Sequence, residues 1–333
     1  MIYKLMKFLL KLPLLFLLAS NLNAFFIGVG GFDVCIGKNG SEFHKNCPYS
    51  KRTPITTALK EEIKNVNAVS VWITRNWQEN WYPVDIINED FIKKGYTPIF
   101  IFYWFADDIS PEFVQKNKTK YFDTLKKFAK YLQKIKGKKI VILNPEYNEN
   151  GMNDSKDFDI LQAQSILLIK KYDKNAIVGV CLGDFGDYNK IWDEYNWNLN
   201  SKSLTFSAKL SDFIAFQEMR AVTRNTKKQI LNTPYRALAF AEYLHQKYNK
   251  PTFLAYIAIS SYKAQNLQKE VFATFQKVLP IMKNSANLLG INLFNYIDVP
   301  NHKGYFKTAE KYFGIKEANG KKKPSFNEFL KLK

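Results

Sequence analysis

Short apolar segments recur along the chain and alternate with amphipathic, lysine-rich segments. Within each apolar segment the hydrophobic residues are mostly consecutive and do not alternate with polar ones. Parallel strands that are covered on both faces require this pattern. Eight such segments follow residue 24, namely 25–33, 66–77, 97–105, 138–146, 175–186, 210–218, 250–262 and 290–298. Each of them predicts a β-strand.

The segments between the predicted strands have apolar residues at helical spacing. The clearest is 121–135, where five apolar residues share one face, and similar patterns occur in 159–172, 234–248 and 267–283. Strands that alternate with helices form a parallel sheet with right-handed crossovers. Eight strand–helix units in a chain of 333 residues favour a closed barrel over an open sheet. We therefore predict an α/β fold, a single (β/α)8 TIM barrel, over residues 25–316.

The two ends of the chain differ from the repeating part. Residues 1–24 have a basic start, a short apolar stretch and a small final residue, Ala24, which together are typical of a secretory signal peptide. A membrane anchor is the alternative, but Lys11 and Pro13 leave the apolar run short of the roughly 20 residues that a span needs. We expect a soluble mature protein, periplasmic or secreted, without a stable membrane span and with a peripheral basic tail at 317–333.

The positions of the cysteines are consistent with an exported protein. Cys35 and Cys47 flank a polar, glycine-containing loop that a disulfide could close, and disulfides persist in oxidising compartments. Cys181 lies inside the apolar run "AIVGVCLG". We expect it to be a buried free thiol.

The net charge of +19 becomes +16 once Lys4, Lys7 and Lys11 leave with the signal peptide. A basic surface can attract nucleic acid, anionic lipid or acidic polysaccharide. The lysines are spread along the chain, however, and no helix-turn-helix or RNP-like signal is present. We therefore expect no nucleic-acid partner.

Cofactor and metal motifs are also missing from the sequence. The glycines of "GVGG" lie within the first predicted strand and are not followed by a helix, so they do not form a dinucleotide site. The three histidines are scattered and have no metal-ligand spacing. We expect a monomer without cofactor or metal.

Candidate chemistry is concentrated where the predicted strands end. The carboxyl ends of the strands form the mouth of a barrel, where active sites are built. The fourth strand ends in Glu146, within "KKIVILNPEYNENG". Other strand ends carry Asp33, Trp77, Tyr103, Trp104, Asp184, Glu218, Tyr262 and Asn295. Carboxylates with aromatic rings suit a sugar, because a carboxyl pair can cleave a glycosidic bond, whereas a Ser-His-Asp or metal hydrolase needs parts that are not seen.

Three segments resemble a known family. "GYTPIFIFYWFADD", "YFDTLKKFAKYLQKIKGKKIVILNPEYNENG" and "KYNKPTFLAYIAISS" look like parts of clan A (β/α)8 glycoside hydrolases, with the family 26 mannanases as the closest pattern. In that family the fourth strand ends in the acid/base glutamate and the seventh in the nucleophilic glutamate. The resemblance implies an acid/base role for Glu146, with Tyr147 and Asn148 beside it in the site.

The chain departs from this family pattern at two positions. Tyr256 stands where the nucleophilic glutamate belongs, and Pro145 replaces the histidine that commonly precedes the acid/base. Either another strand supplies the second carboxylate, or the barrel binds sugar without cutting it. Glu218 is the first candidate because it ends the apolar run of strand six, and Asp184 and Glu149 come next.

These observations predict an exported glycoside hydrolase-like protein that acts on a cell-envelope or extracellular poly- or oligosaccharide. Glu146 would be the general acid and Glu218 the nucleophile or base. The residues expected to bind the sugar are Asp33, Trp77, Tyr103, Trp104, Tyr147, Asn148, Asp184, Tyr262 and Asn295. The alternatives are a non-catalytic carbohydrate-binding barrel of the periplasm and, less favoured by the strand ends, a basic scaffold without a sugar ligand.

Overall fold

A computed structural model describes residues 25–31, 34–37, 40–43, 55–185, 187–188, 195–197, 201–302 and 304–333. The predicted signal peptide, Asp33 and Cys47 lie outside the described residues. Cleavage after Ala24, sugar binding by Asp33 and the Cys35–Cys47 disulfide therefore stay predictions.

Eight parallel strands close into one barrel. They are β1 (Phe26–Val29), β2 (Ala68–Thr74), β3 (Thr97–Tyr103), β4 (Lys139–Leu143), β5 (Ala176–Gly183), β6 (Phe213–Arg220), β7 (Thr252–Ile259) and β8 (Leu288–Leu293). Each strand pairs with the next along the chain, and β8 pairs with β1. Six strands lie within the predicted segments, while β6 extends two residues past the end of its segment and β8 begins two residues before the start of its own. The predicted (β/α)8 TIM barrel is confirmed.

Helices connect the strands on the outside of the barrel. The α-helices of five residues or more are α1 (Ile55–Glu62), α2 (Pro111–Lys134), α3 (Lys156–Tyr172), α4 (Phe206–Leu210), α5 (Lys227–Leu231), α6 (Thr233–Tyr248), α7 (Gln265–Ser285) and α8 (Pro324–Leu330). The last of them, α8, follows β8, and two further helical segments, Val84–Ile86 and Ile87–Ile92, lie between β2 and β3. Ser110 starts α2 by accepting a hydrogen bond from the Phe113 N–H at 3.2 Å, as an N-cap serine does. Within the part of the chain that the structure describes, none of the helices combines the length and the hydrophobicity of a membrane span.

Successive residues of each barrel strand face opposite sides of the sheet. One set fills the barrel interior with a small cluster that includes Ile101, Ile142 and Ala215. The other set packs against the helices in the much larger main core. Cys181 lies in the interior cluster as a buried free thiol, as predicted. This alternation decides which side chains at the strand ends can reach the mouth.

The C-terminal segment is not peripheral. Phe326, Phe329 and Leu332 are fully or almost fully buried and belong to the main core. The buried Lys323 ammonium donates to Asp298 Oδ1 at 2.6 Å and to Ser261 Oγ at 2.7 Å. The expectation of a peripheral tail at 317–333 is wrong, because its apolar residues pack into the main core, where the Phe329 ring lies 5.7 Å from that of Phe272 on α7.

Candidate active site

A cavity of about 810 Å³ opens at the carboxyl ends of the strands. This volume lies within the range of ligand sites. Its walls combine aromatic side chains, among them Trp72 and Tyr256, with carboxylates, among them Glu146, and with the guanidinium group of Arg224. The mouth of the barrel therefore holds a site with both stacking surfaces and titratable groups.

Glu146 is held in an uncommon backbone conformation directly after β4. Its φ of 59° is left-handed, and Asn144, two residues earlier, has a φ of 47°. A glutamate rarely adopts this conformation, which costs of the order of 1–3 kcal/mol and is typical of functional sites. The sharp turn aims the Glu146 side chain into the cavity.

The Glu146 carboxyl is protonated more easily than an ordinary glutamate. Burial raises its pKa to about 7, and the charges of Glu149, Asp107 and Glu310 act in the same direction. The Tyr256 hydroxyl opposes them by donating a hydrogen bond to Glu146 Oε1 at 2.5 Å. A carboxyl group with a pKa near neutrality is suited to general acid–base chemistry.

The aromatic side chains form one connected wall. The Trp72 ring centroid lies 5.5 Å from that of Tyr103, 5.3 Å from that of Tyr256 and 5.5 Å from that of Phe294. Phe294 in turn stacks on the His302 ring, with their planes 11° apart. The Tyr103 hydroxyl donates a hydrogen bond to Asp107 Oδ1. The wall joins residues of β2, β3 and β7 with the segment after β8.

Of the sequence-predicted site residues, Glu146, Tyr103, Asp184 and Asn295 border the cavity. Trp77, Trp104 and Tyr147 do not line it. Trp77 packs edge-on against Phe128 and Tyr131, Trp104 donates from Nε1 to Thr124 Oγ1 at 3.0 Å, and Tyr147 is fully buried against Phe158. The prediction that these three aromatic side chains lie at the mouth is wrong, because they face the helices.

Two further residues have other positions than predicted. Asn148 joins the loop after β4 to β5, donating from Nδ2 to the Gly183 carbonyl at 2.9 Å and accepting from the Gly183 N–H at 2.7 Å. It supports the rim and does not line the cavity. Tyr262 borders a second cavity and packs on the Tyr312 ring at 5.3 Å.

Glu218 does not reach the mouth. Its side chain is fully buried, does not line the cavity and lies 3.0 Å from Arg220 Nη2. On β6 it shares its side of the strand with Ile214 and Phe216, which belong to the main core outside the barrel. Burial raises the Glu218 pKa well above its usual range, against the effect of Arg220. The predicted Glu146–Glu218 pair across the mouth is therefore wrong.

Asp184, Glu218, Arg220 and Arg236 form a buried ion cluster between the barrel and α6. Arg236 donates from Nε to Asp184 Oδ2 and, at 2.7 Å, from Nη2 to Oδ1. Arg220 Nη2 lies 3.2 Å from Asp184 Oδ2. Asp184 borders the cavity, but its carboxylate is fully buried and directed towards these arginines. The cluster joins two acidic side chains to two guanidinium groups and holds β5, β6 and α6 together.

Several lining residues were missed by sequence reasoning. Trp72 points inward because it shares the side of β2 that carries Ala68, a residue of the interior cluster. That alternation is the signal that could have identified it. Other missed residues lie in the segments after β6 and β8, which have no such pattern, and include Arg224, His302 and Glu310.

Comparison with known proteins supports the fold. The sequence matches no protein-family model and no curated protein. An exo-β-1,4-mannosidase from Opitutaceae bacterium strain TAV5 has a similar structure, with a TM-score of 0.61 at 11% identity over 93% of this chain and 59% of that one. The endo-1,4-β-D-mannanase of Thermotoga petrophila RKU-1 gives 0.60 at 12% identity over 92% of this chain and 98% of that one.

A β-mannanase of glycoside hydrolase family 26 from Bacteroides ovatus is similar to the same extent. Its TM-score is 0.59 at 10% identity, over 92% of this chain and 88% of that one. The chain thus spans less than two thirds of the Opitutaceae mannosidase and nearly all of the Thermotoga mannanase. At these identities the likeness concerns the fold. The resemblance to clan A (β/α)8 glycoside hydrolases, family 26 included, is confirmed at that level.

Proposed function

We propose that the protein hydrolyses glycosidic bonds in a poly- or oligosaccharide and that Glu146 is its proton donor. The observation that carries the proposal is the state of Glu146. It follows β4 in a left-handed conformation, borders the mouth cavity and has a pKa of about 7. At neutral pH a large fraction of its carboxyl groups hold the proton that a departing sugar oxygen needs.

The walls of the cavity support a sugar as the ligand. The faces of the rings of Trp72, Tyr103 and Phe294 offer apolar surface for the C–H faces of a pyranose, and Gln217 and Asn295 supply amide groups for its hydroxyls. Ligand sites commonly combine apolar walls with a few polar groups of this kind. Several proteins of similar structure are named as mannanases or mannosidases, so a β-1,4-mannan is the first substrate to test.

A non-catalytic carbohydrate-binding barrel is the second candidate. It is favoured by Tyr256, which lies on β7 and donates a hydrogen bond from its hydroxyl to Glu146 Oε1. No carboxylate of β7 faces Glu146, because Thr252–Ile259 contains no acidic residue. In this alternative the same cavity would hold a glycan without cleaving it.

The experiment is a cleavage and binding screen on mannohexaose, cellohexaose, xylohexaose and chitohexaose. Products are followed by mass spectrometry and binding by calorimetry, for the wild-type chain, Glu146→Gln and the exposed control Glu270→Gln on α7. We expect cleavage of at least one hexaose by the wild type and the control, and binding without cleavage by Glu146→Gln. Binding without cleavage by all three proteins would support the non-catalytic binding barrel. The absence of both binding and cleavage would refute the proposal that the protein acts on or binds these glycans.

Export remains part of the proposal. It rests on the pattern of residues 1–24, which favours action on a cell-envelope or extracellular glycan, in the periplasm or outside the cell. Sequencing the N-terminus of the protein recovered from outside the cytoplasm tests it. A mature chain starting at Phe25 is expected, and an intact Met1 on cytoplasmic protein would contradict it.

A further inference from the structure

The segment after β8 lies over the end of β7. The Ser260 hydroxyl donates to the Ala309 carbonyl at 2.6 Å, and the Ser261 N–H donates to the Tyr312 carbonyl at 3.0 Å. Phe306 and Phe313 pack in one cluster with Ala258 of β7. The 304–313 segment is thereby fixed above the strand whose own sequence provides no acidic residue.

This segment brings Glu310 to the cavity. Glu310 is 5% exposed and lines the cavity, as does its neighbour His302. Its Oε1 accepts a hydrogen bond from the Phe306 N–H at 2.8 Å, and its Oε2 lies 3.5 Å from His302 Nε2. The carboxylate is thus anchored through one oxygen by the backbone, while the other oxygen lies near the imidazole.

A glycine makes room for the carboxylate. A Cβ atom at Gly304 would lie 2.3 Å from Glu310 Oε2 and 2.6 Å from Oε1. Any side chain at this position would therefore push the Glu310 carboxylate out of its place. The backbone at Gly304 and the N–H of Phe306 together define the orientation of Glu310.

Glu310 and Glu146 share one electrostatic environment. The negative charge of Glu310 is among those that raise the pKa of Glu146. Glu146 comes from the end of β4, and Glu310 is fixed above β7. Both residues line the same cavity.

We propose that Glu310 is the second catalytic carboxylate and acts as the general base opposite Glu146. This proposal rests on the hydrolytic function proposed above. In the step, a water oxygen bonds to the anomeric carbon while Glu310 takes one of its protons. The glycosidic C–O bond breaks, its electron pair goes to the leaving oxygen, and that oxygen takes the proton of Glu146. Because water attacks directly, the product has inverted anomeric configuration.

The test compares Glu310→Gln with Glu149→Gln, which changes another carboxylate of the cavity, and with the exposed control Glu270→Gln. On whichever hexaose the wild type cleaves, Glu310→Gln should lower kcat by about 10²–10⁴-fold and leave KM within a few-fold. Glu149→Gln should lower kcat less than 10-fold, and the control should match the wild type. Thermal unfolding checks that each variant is folded.

Two measurements do not depend on the stability of Glu310→Gln. Proton NMR of the first product released by the wild type should show inverted configuration. Sodium azide should restore turnover to Glu310→Ala by forming a glycosyl azide, because azide attacks without needing a base. A retained product, or Glu310→Gln with more than one tenth of wild-type kcat, would overturn the role of Glu310 and leave the hydrolase proposal standing. A wild type that cleaves no hexaose of the screen would overturn both.

Discussion

The hydrogen bond from Tyr256 to Glu146 should set the pH range of activity. The Tyr256 hydroxyl is 2.5 Å from Glu146 Oε1 and lowers the pKa of that carboxyl, against the larger effect of burial. Tyr256→Phe removes the donor and keeps the ring in the aromatic wall. The charged form of Glu146 then loses a stabilising contact, so its pKa must rise above the present value of about 7.

The size of this effect follows from the strength of hydrogen bonds to charged groups. Such a bond contributes about 1.5–3 kcal/mol, and about 1.4 kcal/mol corresponds to a tenfold change in the protonation equilibrium. The pKa of Glu146 in Tyr256→Phe is therefore expected at about 8–9. A general acid works only while protonated, so activity falls as the pH rises through this pKa. The alkaline limb of the kcat/KM profile should move from about pH 7 to about pH 8–9.

The assay is the pH dependence of kcat/KM between pH 4 and 10, with Tyr131→Phe as the matched control. Tyr131 is also buried and donates its hydroxyl proton to the Tyr82 carbonyl at 2.8 Å. Tyr131 does not line the cavity, so the loss of its hydroxyl in Tyr131→Phe should leave the acidic and alkaline limbs of the kcat/KM profile unchanged. An alkaline limb that stays in place, or moves to lower pH, in Tyr256→Phe would refute the reasoning.

Three further predictions concern stability and the covalent structure. Because the folded-state pKa of Glu146 is raised from 4.5 to about 7, the wild type loses about 3 kcal/mol of stability as the pH rises from 4.5 to 7. The free energy of unfolding of Glu146→Gln, measured in urea, should not show this loss. An equal pH dependence of the unfolding free energy in the wild type and in Glu146→Gln would contradict this prediction. Asp184→Asn leaves the Arg236 guanidinium without its carboxylate partner and should cost about 3–5 kcal/mol. Glu218→Gln should cost less than about 1 kcal/mol, because the amide resembles the protonated carboxyl that burial favours. Equal losses from these two changes would show that the buried ion cluster is described wrongly. Finally, mass spectrometry of the non-reduced exported protein should find Cys35 linked to Cys47, and two free thiols there would disprove the pairing.

The fold could be predicted from the sequence because its signals are local. A strand covered on both faces must be apolar at nearly every position, and β4 (Lys139–Leu143), with five buried residues in a row, is a clear case. The surrounding helices can be predicted from the helical spacing of their apolar residues. In α2, for example, Leu125, Phe128 and Leu132 form the buried face. Eight repeats of these two signals leave few alternatives to the barrel.

The position of Glu146 could be predicted for a related reason. It ends the run of β4, and strand ends lie at the mouth in any barrel of this type. The same uniform hydrophobicity hides which side of the sheet a residue faces. Glu218 also ends an apolar run, but the alternation of β6 turns it towards the helices. The pairing of β6 with β7 also shifts register between Phe216 and Gln217, and this shift cannot be read from the apolar pattern.

The position of Glu310 could not be predicted from local pattern. It lies in a 3₁₀ helix, Lys307–Tyr312, beyond the last strand. Hydrogen bonds to Ser260 and Ser261, distant in sequence, bring this helix to the cavity. A contact of this kind depends on the completed barrel.

The role of Glu146 as the proton donor is tested most directly by how the kcat/KM of Glu146→Gln depends on the leaving group of the substrate. A general acid matters most when the departing oxygen is basic, as in a natural glycan, and little when it leaves without a proton. We compare kcat/KM on the hexaose that the wild type cleaves with kcat/KM on the 2,4-dinitrophenyl glycoside of the same sugar. Glu146→Gln should lose about 10²–10⁴-fold on the hexaose and less than about 10-fold on the dinitrophenyl glycoside. Equal losses on both substrates, or full activity on the hexaose, would contradict the assignment of Glu146 as the proton donor.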